Sequence, residues 1–218
     1  MEWSDDVREE LELALTEAEV AGVRWESSDA IALLIHVSAL PEVGPIELDS
    51  RRVLVFRGVS DVRFLLRAAR DESDGPAIPL ASVEAVDGFF DSLAVGGGFY
   101  GWRYFDAPDL VADWPGEPSL VVRGEAAESS HTFYWFNECG RVEDDEVRSY
   151  CIEGTVAFDD LVVLRADGLE QSLAEFADAG RRWWSAFMDW DERVDADAQK
   201  VWGQSRLTWR EWRGVPDG

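Results

Sequence analysis

The stretch 131-HTFYWFNECG-140 sets four aromatic residues in a row beside a histidine, a glutamate and one of the chain's two cysteines. An extended chain turns alternate side chains to opposite faces. His131, Phe133, Trp135, Asn137 and Cys139 then share one face, and Thr132, Tyr134, Phe136 and Glu138 the other. With aromatic rings on both faces, the stretch reads as a central strand buried between layers, not as an active site.

Its neighbours follow the same grammar. The segment 140-GRVEDDE-146 joins it as a hairpin to 147-VRSYCIEGTVAF-158, and strands are also predicted at 119-SLVVRG-124 and 160-DLVVLRA-166, with a turn at Asp167-Gly168. In the hairpin Cys139 faces the start of the second strand while Cys151 lies further along, so no disulfide is expected. Nor can His131 activate Cys139 within one strand. Eight extended residues separate them by roughly 26 Å, and a catalytic thiol needs its cation close by.

Further upstream, 30-AIALLIHVSAL-40 alternates Ile31, Leu33, Ile35 and Val37 onto one face of a strand, leaving His36 on the other, toward solvent. Pro41, Gly44 and Pro45 end it. Residues 52–70 hold two strand-like runs around Gly58, the second open to a helical reading from Asp61, and 71-DESDGP-76 is a turn. The stretch 99-FYGWRYF-105 has strand character, and Gly96–Gly98 form a flexible break before it. A faint echo links Gly58-Val59 and 62-VRFLLRA-68 to Gly154-Thr155-Val156 and 161-LVVLRA-166; it reads as shared strand grammar rather than duplication.

Three helices complete the pattern. Over 4–20, Val7, Leu11, Ala14, Leu15 and Ala18 recur at helical spacing behind Ser4, Asp5 and Asp6. A short helix covers 82–93 with Val83, Val86, Phe90 and Leu93 inward. Over 172–190, Ser172 and Glu175 form a capping box, and Leu173, Phe176, Ala177, Gly180, Trp183, Trp184 and Phe187 build an apolar stripe. The predicted class is α+β: a mostly antiparallel sheet with an N-terminal, a short middle and a C-terminal helix packed on it. The chain reads as one α+β domain over 1–218, or as two sheet-containing halves, 1–105 and 119–218, joined by the proline-rich tract 106-DAPDLVADWPGEP-118. Periodicity does not separate helix from strand in the tail 191–218.

Composition narrows the function. The chain has 46% hydrophobic residues, 45 acidic against 20 basic residues and a net charge of −25. Such a field repels nucleic acid and anionic membrane and favours a basic partner. All the basic residues except Lys200 are arginine. Eleven tryptophans supply core rings and, where exposed, anchors for partners. Two cysteines without a C-x-x-C pair suit a reducing compartment. The N-terminus lacks a signal peptide's basic and apolar segments, and no apolar run is long enough to span a membrane. The expected location is the cytoplasm.

Chemical signatures are missing. No phosphate loop, dinucleotide fingerprint, nucleophile elbow or zinc helix is present, and no cofactor is expected. Cysteine and histidine show no zinc spacing, and the acidic runs 71–74, 143–146 and 189–197 fit no calcium loop. In style (acidic, β-rich, aromatic-heavy, without catalytic motifs) the chain resembles small bacterial immunity proteins that neutralise a toxin. That resemblance implies a non-enzymatic cytoplasmic protein engaging a basic partner. Candidate partner-binding residues are Glu143, Asp144, Asp145, Glu146, Asp189, Asp191, Trp209 and Trp212. Two alternatives use the same acids: a glycosidase-like hydrolase built on two carboxylates, and a DNA mimic whose carboxylate rows imitate phosphates.

Overall fold

A computed structural model describes residues 3–47, 49–68, 76–95, 99, 103–112, 114 and 116–194. Helix α1 spans Asp5–Leu15, with the Ser4 hydroxyl accepting from the Val7 N–H and Leu11, Ala14 and Leu15 buried. It stops short of the expected residue 20. The Thr16 hydroxyl donates to the Glu12 carbonyl, Glu17 takes a left-handed φ of 63°, and strand β1 (Glu19–Ser27) begins. Pairing with the next strand satisfies this segment's backbone, and that outweighs the apolar spacing that Ala18 shares with the helix.

The remaining elements are β2 (Ala30–His36), β3 (Arg51–Arg57), β4 (Asp61–Ala68), α2 (Val83–Asp91), β5 (Leu93–Val95), β6 (Leu120–Arg123), β7 (His131–Glu143), β8 (Glu146–Phe158), β9 (Asp160–Arg165), β10 (Glu170–Gln171) and α3 (Leu173–Met188). The strands form two antiparallel sheets, ordered β1-β2-β3-β9-β10 and β5-β7-β8-β4-β6. The fold is α+β. The second run after Gly58 is strand, not helix. Of 99–105, Phe99 and Phe105 make isolated bridges to β7, and 100–102 lie outside the described residues, as do 71–75 and 96–98.

Two long segments run through both sheets. β3 pairs with β9 and β4 with β8, so 52–68 lies antiparallel to 150–165 with one shift of register where the chain changes sheet. Gly58 (φ 63°) makes that corner. A Cβ there would stand 2.7 Å from Asp159 Oδ2, while the Asp159 N–H donates to the Arg57 carbonyl at 2.9 Å. Sheets joined by strands that bend from one to the other enclose a core between them. The echo between residues 58–68 and 154–166 thus falls on two segments paired with each other. Each sheet takes strands from both sides of the tract 106–118.

The core lies where the inner faces meet. His131, Phe133, Trp135, Asn137 and Cys139 all point into it. Phe133 lies 5.1 Å from both Phe56 and Phe105, centroid to centroid, and 5.8 Å from Trp135. Each such ring contributes about 2–3 kcal/mol by burial. Trp135 lies across Gly154, whose added Cβ would fall within its ring. The other face of the strand departs from expectation: Tyr134 and Phe136 are half-buried and Thr132 is exposed.

His36 also departs from expectation. It is buried, not solvent-facing, because Ala32, Leu34 and Val53 on that outer face are buried as well. Among the described residues no helix is long and apolar enough to cross a membrane.

Candidate partner-binding surface

Helix α3 begins on the capping box that its sequence announces. The Ser172 hydroxyl accepts from the Glu175 N–H while the Glu175 carboxylate accepts from the Ser172 N–H. The Ser172 hydroxyl also donates to the Glu175 carboxylate at 2.9 Å, and this bond, with that from the Ser172 N–H, holds the Glu175 carboxyl below its ordinary range. Three tethers fix the helix to the body. Trp184 Nε1 donates to the Leu13 carbonyl at 3.1 Å, Arg182 Nε donates to the Leu40 carbonyl at 2.9 Å, and the Leu40 N–H donates to the Ala179 carbonyl at 3.0 Å.

The far end of α3 is unusual. The Asp191 N–H donates to the Ala186 carbonyl at 2.9 Å and the Trp190 N–H to the Phe187 carbonyl at 3.4 Å. This is the paired closure of a Schellman motif, which puts its C′ residue in left-handed backbone. Glycine normally stands there; here Trp190 does, at φ 57°. Left-handed backbone costs a side-chain-bearing residue roughly 1–2 kcal/mol. The indole gains no burial in return, being 93% exposed. Met188 is 70% and Phe187 41% exposed beside it, and Phe187 is held flat against Trp183 at 5.2 Å.

Charge at this end is equally unusual. The last turn of α3 carries no basic residue, and its C-cap is Asp189, although the negative end of a helix dipole favours cations. Among the described residues the Asp189 carboxylate has no hydrogen-bond or ion-pair partner. Asp191, by contrast, is gripped by Arg193 through Nε at 3.1 Å and Nη2 at 2.8 Å, which holds its carboxyl below the ordinary range. A hollow of about 240 Å³ opens here, lined by Arg181, Arg182, Ser185, Asp189, Asp191 and Arg193.

The other predicted residues lie apart from this end. Glu143 and Glu146 flank the β7–β8 hairpin turn, with Asp144 (φ 52°) and Asp145 (φ 66°) as its two left-handed central residues. That is the turn type favoured between twisted strands. The Asp144 side chain is 91% exposed. Glu143 accepts from the Tyr150 hydroxyl at 2.7 Å, a bond that raises the Tyr150 pKa. Trp209 and Trp212 lie outside the described residues.

Reactive groups face other tasks. His131 Nδ1 is 3.1 Å from Asp106 Oδ2, and Trp3 stacks over the imidazole at 4.9 Å. Cys139 and Cys151 are buried thiols, pointing to opposite faces of their sheet. Glu153, buried on the outer face of the second sheet, accepts from Arg67, from Trp114 Nε1 at 2.9 Å and from the Tyr134 hydroxyl at 2.9 Å. Among the described residues no three histidine, cysteine, aspartate or glutamate side chains gather as a metal group would.

Sequence reading missed Trp190, which the helical pattern carried to its last residue. The available signal was the absence of glycine or asparagine after Met188. No family model matches the chain, and neither a curated protein nor a solved structure is significantly similar to it.

Proposed function

We propose that the protein is a non-enzymatic cytoplasmic binding protein that engages a basic protein partner, of the kind a cationic toxin presents, through the end of α3. One observation carries the reading: a nearly fully exposed tryptophan, Trp190, occupies strained backbone between two aspartates. Exposed tryptophans on rigid supports are frequent anchors of interfaces, and residues held in costly backbone cluster at functional sites.

The tethers to Leu13 and Leu40 hold the anchor in place before binding, which lowers the ordering cost of association. The chain's −25 charge speeds encounter with a cationic surface and makes binding sensitive to salt.

The test is affinity capture on the immobilised protein at low and high salt, with Trp190→Ala in parallel. A cationic protein held at low salt, released at high salt and lost from the variant is expected. Recovery of no cationic protein at either salt overturns the proposal.

A further inference from the structure

We propose that the end of α3 recognises an arginine of its partner, the guanidinium lying on the indole of Trp190 and hydrogen-bonding the carboxylate of Asp189. This rests on the binding function proposed above and specifies its chemistry. An indole face attracts cations, and a guanidinium stacks on it while its edge still meets a carboxylate. Both faces of the Trp190 ring are open to solvent. Asp189 stands next to it in the chain, and among the described residues its carboxylate has no hydrogen-bond or ion-pair partner.

The remaining charges of the hollow decide where the cation sits. Arg181 pairs with Asp178, and Arg193 is held by Asp191 at 2.8 Å. Arg182 is tied through Nε to the Leu40 carbonyl, yet its positive charge faces the hollow. A second guanidinium placed deep inside is therefore repelled. Beside Asp189 the carbonyl end of α3 adds further negative charge, and the adjoining Trp190 ring is 93% exposed.

The experiment is a nuclear magnetic resonance titration of the full chain, following the Trp190 indole N–H, assigned by its loss in Trp190→Leu. The probes are a capped glycine–serine–leucine peptide bearing one arginine and the same peptide bearing lysine. The arginine peptide should shift the Trp190 signal at several-fold lower concentration than the lysine peptide. Asp189→Asn should weaken its binding by roughly two- to fivefold. Equal response to both peptides overturns arginine recognition while leaving a basic partner in place. A response to neither, or an arginine response indifferent to Asp189→Asn, overturns this proposal, whereas the binding function itself falls only with the capture experiment. Residues 189 and 190 lie on the surface, so circular dichroism should show each variant folded.

Discussion

Gly180 of α3 packs against Ala14 of α1 so closely that a Cβ added at Gly180 would stand 2.5 Å from the Ala14 Cα and 2.6 Å from its Cβ. The obstacle is backbone, which no rotamer change removes, so the two helices must separate to admit a methyl. This contact sets the seat of α3, and through it the position of Trp190.

Gly180→Ala is therefore expected to destabilise the protein. Overpacking costs about 1–3 kcal/mol, more than the roughly 1 kcal/mol that alanine gains over glycine in a helix. Urea unfolding should show a lower midpoint. A higher midpoint would mean that the helices do not touch here.

Glu153 and Arg67 form a second sensitive point. The carboxylate is 5% and the guanidinium 15% exposed, and Trp114 and Tyr134 donate to the same carboxylate. Glu153→Ala leaves a buried arginine without its partner, so a loss of about 3–5 kcal/mol is expected. Glu153→Gln, which still accepts from Trp114 and Tyr134, should lose less. In a double-mutant cycle with Arg67→Met the losses should be strongly non-additive; simple addition would show that the pair does not interact.

Three tyrosines make alkaline pH a probe of the fold. Burial and the charge of Glu153 raise the Tyr134 pKa, burial raises that of Tyr104, and the bond to Glu143 raises that of Tyr150. A raised folded pKa means that the stabilisation is complete below the phenol's ordinary value of 10.0 and is lost as pH climbs past it. Tyrosinate absorbance from these rings should therefore rise together with the loss of circular dichroism. Full titration near pH 10 with the fold intact would contradict the assignments of Tyr134 and Tyr104.

The elements that were legible in advance are those whose signals are local. Ser172 and Glu175 announce the start of α3 and Ser82 that of α2, whereas the connection expected over 140–146 closes to Asp144 and Asp145 because both strands run on to Glu143 and Glu146. What was not legible depended on distant partners. β1 was hidden because Ala18 continues the helical spacing of α1, and only pairing with β2 decides against it. His36 looked solvent-facing because alternation along one strand says nothing of what covers the other side. Trp190 was the hardest to see, since its position breaks the very rule by which a helix end is recognised. A residue chosen against local preference leaves no signature in local preference.

That conflict supplies the sharpest prediction. Trp190→Gly should remove the left-handed strain at the C′ position, a gain of roughly 1–2 kcal/mol, partly offset by the greater freedom of glycine in the unfolded chain, about 0.4–1 kcal/mol. No burial is lost, because the ring is exposed. The variant should thus unfold at the same or higher urea concentration, a net gain of about 0–1.6 kcal/mol. At the same time it should no longer retain the cationic partner. Opposite movements of stability and binding from one exposed residue are what a site kept for function produces. If Trp190→Gly instead lowers stability and leaves capture intact, the indole serves the fold, and the binding surface must be sought elsewhere on the molecule.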